Sequence, residues 1–215
     1  MTAVVIIAKE CLPGRVKTRL ARTIGDEAAA RVASASLADT MELVRRLPAE
    51  RRILLFDGAI LPPGADDFEV MPQVGGDLDE RLGAMFDAMD EPTLLLGMDT
   101  PQLVPADLAP VFDNVTDRDA WFGPASDGGF WSLWLGSPDG ALLRGVLMSH
   151  PLTGELQLDR LHASGRSVGI LGEVRDVDEI DDALAVADLA PGSRFAAALR
   201  QELRHRAPIE RIGAA

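Results

Sequence analysis

The sequence predicts an α/β fold with a mostly parallel central sheet and helices on both faces. Short apolar runs such as 4–8 and 93–98 lack polar alternation, which is typical of strands buried on both sides. Segments with apolar residues at three- and four-residue steps, such as 27–47 and 77–89, indicate amphipathic helices between these runs. Strands that alternate with helices favour crossover connections, and therefore a parallel sheet.

The predicted elements alternate along the chain. The predicted strands are 4–8, 52–57, 68–71, 93–98, 119–122, 130–135 and 168–171, and the predicted helices are 27–47, 77–89, 105–114, 142–148, 155–164, 178–189 and 193–205. Gly25 and Asp26 can cap the first helix, and Pro48 ends it. Asp77, with Glu80 three residues later, predicts a capping box at the start of the second helix.

Length and composition limit the kind of protein. The 215 residues, 47% apolar and 26% charged, predict one globular domain over 1–206 and a frayed tail over 207–215. The 34 acidic and 21 basic residues give a formal charge of −13, which disfavours nucleic acid and anionic membranes as partners. The single cysteine excludes an internal disulfide. No apolar run approaches the roughly 20 residues that span a bilayer, and no signal-peptide pattern is present, so we expect a cytoplasmic protein.

A basic segment follows the first predicted strand. It carries five cationic side chains in fourteen residues: Lys9, Arg15, Lys17, Arg19 and Arg22. Ligands of open α/β sheets bind at the carboxyl ends of strands, where Arg, Lys and turn N–H groups suit phosphate. The segment therefore predicts a phosphate-binding loop, although it lacks the Walker and dinucleotide glycine patterns. The alternative is a solvated loop in which Lys17 and Arg19 pair with surface acids.

Acidic residues follow other predicted strands. Asp99 comes after the most apolar strand, and a buried carboxylate needs a cation or strong donors, so Asp99 is a candidate ligand of a hard divalent ion. It could instead form a local turn or cap the helix near Pro105. Asp176 and Asp178 are two positions apart in an extended segment and could face one cation. Asp178 could also cap the helix that follows.

Two glycine-containing segments could approach a ligand closely. The Asp-Gly-Gly segment 127–129 has the composition of a hairpin turn between two strands. Its glycines could equally admit a substrate, with Asp127 accepting from a hydroxyl or acting as a base. The glycine pair 75–76 precedes Asp77 and could let a nucleotide base lie on the backbone. Arg81 could reach a phosphate or pair with Asp77.

Five motifs together resemble a known family. In order, they are A-K-x-x-x-P-G-x-V-K-T-R-L, G-G-D-L-x-E-R-L, G-x-D-x-P-x-L, G-P-A-x-D-G-G-F and D-V-D. This arrangement, from about residue 4 to 189, resembles bacterial glycosyltransferase-like proteins of the DUF2064 type. These proteins are similar to nucleotide-diphospho-sugar transferases of the GT-A fold. The resemblance implies a Rossmann-like sheet that binds a nucleotide sugar together with Mg²⁺ or Mn²⁺.

The resemblance also implies roles for residues. It implies that Lys9, Arg15, Lys17 and Arg19 hold the diphosphate, with Ala8 also among the residues that bind the donor, and that Asp99 is the main metal ligand with Asp178 or Asp176 as the second. It also implies that Gly75, Gly76 and Asp77 border the base or ribose, and that Asp127, Gly128 and Gly129 face the sugar or the acceptor. Lys17 and Arg19 would neutralise the leaving diphosphate, and Asp127 would be the base for the acceptor. The family often has Trp-Ser-Thr where this chain has Met-Ser-His at 148–150, and threonine where it has Glu179.

Three functions are compatible with these residues. The first is transfer of a sugar from a nucleotide-sugar donor to a small-molecule acceptor. The second is a nucleotidylyltransferase that uses NTP and a phosphorylated acceptor, because the first motif also resembles guanylyltransferases of deazaflavin-cofactor synthesis. The third is nucleotide binding without catalysis, which the altered 148–150 segment suggests. Release of NDP distinguishes the first function from the second, which releases pyrophosphate.

Overall fold

The computed structural model describes residues 2–113 and 117–206. The strands are β1 (Ala3–Lys9), β2 (Arg51–Asp57), β3 (Glu69–Pro72), β4 (Thr93–Leu96), β5 (Ala120–Pro124), β6 (Phe130–Leu135) and β7 (Val168–Ile170). The helices are α1 (Thr18–Ile24), α2 (Asp26–Arg46), α3 (Leu78–Asp87), α4 (Ala109–Asp113), α5 (Thr153–Ala163), α6 (Ile180–Leu189) and α7 (Arg194–Arg206). None of the helices in these two ranges has the length and apolar character needed to cross a membrane.

The strands form one sheet in the order β3-β2-β1-β4-β6-β5-β7. Every neighbouring pair is parallel except the two that β6 makes with β4 and β5. The strand order reverses at β1, because the chain adds β2 and β3 on one side of it and β4 on the other. Such a reversal opens a crevice at the carboxyl ends of the strands. The predicted α/β class with a mostly parallel sheet is confirmed.

Alternating side chains of β1 divide the core into two layers. Val4 and Ile6 pack on one face of the sheet, in a buried cluster with Met41 of α2. Val5 packs on the other face, in a cluster with Phe86 of α3. A third buried cluster joins α1, α2, α6 and α7. The sheet therefore has helices on both faces, as its uninterrupted apolar strands predict.

Some segments differ from the prediction. The second half of the basic segment is helical, since α1 begins at Thr18. The predicted helix over 142–148 is wrong. Only a short 3₁₀ turn, Gly140–Leu142, forms there, because Gly145 has φ +78°, outside the right-handed helical region. The Arg160 guanidinium donates to the carbonyls of Ala141 and Arg144. Position 114, the end of the helix predicted over 105–114, and the predicted tail over 207–215 lie outside the described residues.

Candidate functional site

Two adjoining pockets open at the carboxyl ends of β1 and β4. The first, of about 450 Å³, is lined by the basic segment and is called the basic pocket. The second, of about 290 Å³, lies beside α3 and is called the apolar pocket. Five residues line both pockets: Asp99, Asp127, Ser149, His150 and Asp176. The two pockets therefore meet along a shared boundary that carries three carboxylates.

Lys17 connects the basic segment to the end of β4. Its ammonium lies 2.8 Å from Oδ1 of Asp99 and also donates to the carbonyl of Val177. The Lys17 side chain is only 8% exposed. The backbone N–H of Val177 in turn donates to the Asp99 carbonyl at 3.0 Å. The acid that Lys17 contacts is thus Asp99, the predicted metal ligand, whose side chain is 39% exposed, and this contact holds three segments together.

Arg19 and Asp178 form a second ion pair across the basic pocket, at 2.5 Å. The capping role considered for Asp178 is wrong, because the α6 cap is Glu179, whose backbone N–H donates to Asp182 at 3.0 Å. Asp99 also caps no helix. The 3₁₀ turn at Pro105–Leu108 begins with the N–H of Val104 donating to Asp107. Both carboxylates therefore face basic side chains of the pocket.

Lys9 and Arg15 supply the unpaired positive charge of the basic pocket. Both are exposed and line it, and neither forms an ion pair with another residue of the described ranges. Exposed Lys and Arg without a carboxylate partner can bind an incoming anion without first breaking a salt bridge. The basic pocket therefore has two free cations in addition to its two ion pairs.

Asp176 is half-buried beside two other carboxylates. Burial, followed by the charge of Asp127, raises the pKa of Asp176 to about 6. Its own backbone N–H and Lys17 lower this pKa, and Asp99 raises it further. Converging carboxylate oxygens are the ligands that Mg²⁺ and Mn²⁺ prefer. Within 2–113 and 117–206, however, no group of three or more His, Cys, Asp or Glu side chains is arranged to hold a metal ion. A cation at these carboxylates would therefore need further oxygen ligands from a bound molecule.

Asp127 lies in the tight turn between β5 and β6. The two strands are antiparallel neighbours, so the hairpin prediction for this segment is confirmed. Oδ1 of Asp127 accepts from the N–H of Gly129 at 2.7 Å. Oδ2 makes no hydrogen bond to another described residue, and the side chain is exposed. One oxygen thus orients the carboxylate while the other is available to a ligand.

Gly128 allows the 149–154 segment to pack against this turn. It has φ +87°, and a Cβ atom there would lie 2.0 Å from the carbonyl oxygen of Pro151. The N–H of Gly154 donates to the Gly128 carbonyl at 2.8 Å. The close approach that Gly128 permits is therefore to protein backbone, whereas Gly129 lines the apolar pocket.

The segment 75–77 lines neither pocket. Asp77 caps α3, and its N–H donates to Glu80 at 3.1 Å, so the predicted capping box is confirmed. Gly76 has φ +107°, and a Cβ atom added at Gly75 would meet no other atom within 4 Å. Asp77 thus caps the start of α3, and a role of Gly75, Gly76 and Asp77 beside the nucleoside stays a prediction.

Two further predicted residues have structural partners. Ala8 is buried, and its carbonyl accepts from Nε2 of Gln73 at 2.8 Å. The Arg81 guanidinium lines neither pocket and does not pair with the Asp77 carboxylate but donates to Oε1 of Gln73 at 2.8 Å. Gln73 therefore joins the strand next to the site to α3.

Ser149 and His150 line both pockets but were not among the predicted site residues. Ser149 has φ +54° and Lys17 has φ +48°, the two positive φ values of non-glycine residues in the described ranges. Such backbone strain concentrates at functional sites. Nδ1 of His150 accepts from the N–H of Leu152 at 3.2 Å, so the neutral ring carries its proton on Nε2. In the sequence, the feature that could have indicated a role for this segment is its Met-Ser-His at 148–150, which departs from the family pattern.

The family model described as "uncharacterized protein conserved in bacteria", DUF2064, matches residues 20–150. The chain belongs to this family. The resemblance inferred from the five motifs is thereby confirmed. No curated protein matches the sequence.

Solved structures share the fold. A candidate nucleotide-diphospho-sugar transferase from Desulfovibrio desulfuricans G20 is 22% identical with a TM-score of 0.82, over 95% of this chain and 97% of that one. A nucleotidyl transferase from Methanothermobacter is 16% identical with a TM-score of 0.59, over 94% and 99%. Rv0371c from Mycobacterium tuberculosis H37Rv in complex with manganese is 20% identical with a TM-score of 0.53, over 87% and 97%. At these identities the likeness establishes the fold.

Replacing Asp176 by asparagine is expected to raise the thermal midpoint of the metal-free protein by a few degrees near neutral pH. The pKa of Asp176 is about 6 in the folded protein, above the ordinary aspartate value. The folded state therefore binds the proton more tightly, and stability falls as the pH rises from about 4 to 6. Melting curves recorded with a chelator should show a difference in thermal midpoint between the variant and the parent. This difference should grow as the pH rises from about 4 to 6 and stay constant at higher pH. A difference that does not change with pH would contradict this account.

Proposed function

We propose that this chain is a nucleotide-dependent transferase, and that it transfers a sugar from a nucleotide-diphosphate sugar to a small acceptor with the help of Mg²⁺ or Mn²⁺. One observation carries the proposal: basic and acidic side chains line the same pocket. They are Lys9, Arg15, Lys17, Arg19, Asp99, Asp127, Asp176 and Asp178. A diphosphate with a bound cation presents both charges and complements such a pocket.

The unpaired cations, Lys9 and Arg15, bind the diphosphate in this proposal. Asp99 and either Asp176 or Asp178 would hold the cation together with phosphate oxygens, since Mg²⁺ is usually bound through one or two carboxylates plus substrate phosphates. When bound, the cation neutralises negative charge that develops on the leaving diphosphate. Because the carboxylates do not form a three-residue metal site in the described ranges, we expect tight cation binding only when nucleotide is present.

The protein side chains then perform the remaining tasks. Lys17 and Arg19 stabilise the negative charge on the nucleoside diphosphate as it leaves. Asp127, oriented by the Gly129 N–H, accepts the proton of the acceptor at Oδ2. Binding both substrates along the shared boundary of the two pockets aligns them for the transfer.

A second candidate is nucleotidyl transfer from NTP to a phosphorylated acceptor. The likeness to the Methanothermobacter nucleotidyl transferase supports it. The likeness to the Desulfovibrio protein supports sugar transfer, and the manganese complex of Rv0371c supports a divalent cation. The basic pocket suits a triphosphate as well as a diphosphate, so the reaction products decide between the two candidates.

A thermal-shift screen tests the proposal. The panel contains nucleoside mono-, di- and triphosphates and nucleotide sugars, with and without Mg²⁺ or Mn²⁺. Binding to the folded state raises the midpoint, and we expect one nucleotide sugar to do so in a cation-dependent manner. Product analysis with that donor should then show NDP, whereas pyrophosphate release from NTP would select the second candidate. No stabilisation by any nucleotide would contradict both.

A further inference from the structure

We propose that the apolar pocket is the acceptor site and that it selects an uncharged alcohol with an apolar body over phosphorylated or carboxylated molecules. The proposal rests on the proposed function for the identity of the reaction. The selectivity of the pocket itself depends only on the residues that line it.

The walls of the apolar pocket are hydrocarbon. Leu78 and Leu82 extend from α3, Phe130 begins β6, and Ile7 and Met148 add further apolar surface. The Phe130 ring packs against Phe122 with centroids 5.5 Å apart, which holds this wall in place. Mostly apolar walls with a few polar groups are typical of small-molecule sites, and about 290 Å³ is near the lower end of their volumes.

The charges of the apolar pocket are all negative. Its ionisable carboxylates are Asp99, Asp127 and Asp176, and none of the described residues that line it is Lys or Arg. The four basic side chains of the site line the basic pocket instead. In the metal-free protein, an acceptor phosphate in the apolar pocket would therefore lose water without gaining a basic side chain from the pocket walls, next to carboxylates of like charge.

Polar groups suited to a hydroxyl lie at the shared boundary. His150 offers Nε2–H as a donor, because its Nδ1 already accepts from Leu152. Oδ2 of Asp127 is available as an acceptor. Both residues line both pockets, so an acceptor with its body in the apolar pocket can place its hydroxyl beside the donor sugar.

The transfer step follows from this placement. A bond forms between the acceptor oxygen and the anomeric carbon of the sugar. The bond from that carbon to the diphosphate oxygen breaks, and its electron pair leaves with the nucleoside diphosphate. The acceptor proton passes to Asp127, so charge and atoms balance without a further reactant.

The test compares three probes that share one apolar body: 2-phenylethanol, 2-phenylethyl phosphate and 3-phenylpropionate. Their affinities for the metal-free full chain are measured by ligand-observed NMR. The alcohol is expected to bind at least about tenfold more tightly than either anion, a difference of about 1.4 kcal/mol. Because an anion could also bind the free cations of the adjoining basic pocket, the same affinities are measured in the double variant Lys9→Ala, Arg15→Ala. Equal or tighter binding of an anion that persists in this variant, or no detectable binding of the alcohol, would overturn the proposal.

A charge variant locates the effect. Met148 is a half-buried residue of the pocket wall, so Met148→Lys places a positive charge in the pocket. This variant is expected to bind 2-phenylethanol more weakly and 2-phenylethyl phosphate more tightly than the parent, which reverses the preference. Leu189→Lys is the matched control, because Leu189 is 70% exposed at the end of α6 and lines neither pocket. The control should retain the preference of the parent, and an unchanged preference in Met148→Lys would place the alcohol elsewhere.

The proposal and the proposed function can fail separately. Nucleoside diphosphates with Mn²⁺ are titrated against the same samples. If the alcohol preference holds but no nucleotide binds, the proposed function is wrong and the selectivity of the pocket stands. If a nucleotide sugar is turned over with a phosphorylated acceptor in preference to its alcohol, the acceptor inference alone is wrong.

Discussion

Replacing Asp99 by asparagine is expected to reduce transfer by about 100- to 1,000-fold, the usual loss when one preorganised electrostatic group is removed from a reacting centre. Asp99 lies at the end of β4, lines both pockets and contacts the Lys17 ammonium at 2.8 Å. In our account it exchanges this contact for the cation of the nucleotide complex. The measurement is NDP release from the donor that the screen identifies, at saturating Mn²⁺.

The structural part of this effect can be separated from the functional part. Asp99→Asn leaves the buried Lys17 ammonium without its carboxylate, which costs stability. The double variant Lys17→Met, Asp99→Asn removes both charges and should recover much of the lost thermal midpoint. It should not recover transfer. Recovery of both, or near-normal transfer in Asp99→Asn, would limit Asp99 to a structural role.

Replacing Gly128 by alanine is expected to lower the free energy of unfolding by about 3 kcal/mol or more, equivalent to roughly 10 °C for a chain of this size. The residue has φ +87°, where a side chain alone costs about 1–2 kcal/mol. The new Cβ would also lie 2.0 Å from the Pro151 carbonyl oxygen, so the 149–154 segment must move. Because His150 and Asp127 depend on this contact for their positions, transfer should fall as well. Thermal unfolding and NDP release measure the two effects.

Gly75→Ala is the matched control. A Cβ atom there would meet nothing within 4 Å, so the midpoint should stay level or rise slightly, since alanine restricts the unfolded chain. Similar losses in both variants would show that the packing of Gly128 against Pro151 is not the cause.

The fold followed from local pattern because each central strand is buried on both faces and each long helix has one apolar stripe. The strand 4–8 and the helix 77–89 were predicted within two residues of their observed ends. The helix predicted over 142–148 failed because its apolar residues, Leu142, Leu143 and Val146, are buried without helical geometry. The spacing of apolar residues indicates which of them are buried, but it does not by itself establish a helix. In this segment the positive φ of Gly145 is incompatible with the helix that the spacing predicts.

The site was predictable where residues follow strand ends. Lys17 and Asp99 are distant in sequence, yet both lie after parallel neighbours, β1 and β4, whose carboxyl ends share one edge. Their direct contact was not predictable, because it depends on the left-handed backbone of Lys17. The role of Gly128 was also hidden, since the residue that it contacts, Pro151, follows a segment with no regular structure.

His150 and the apolar pocket required the three-dimensional structure. The pocket combines side chains from β1, α3, β6 and the 148–150 segment, and no local pattern relates these positions. Leu78 and Leu82 have the spacing of ordinary core residues on an amphipathic helix. Only the packing distinguishes a leucine that lines a pocket from one that fills a core.

The central claim is that one phosphorylated ligand is held by both the basic segment and the carboxylates. Calorimetric titration with UDP, GDP and CDP, in the presence and absence of Mn²⁺, tests this claim. The titrated proteins are the parent, the double variant Lys9→Ala, Arg15→Ala and the single variant Arg22→Ala. Arg22 lies on α1 outside both pockets and controls for the loss of a basic side chain near the site. We predict Mn²⁺-dependent binding of one nucleotide to the parent and to Arg22→Ala, and a loss of about 100-fold or more in the double variant. Equal affinity in all three proteins, or binding that ignores Mn²⁺, would contradict the account.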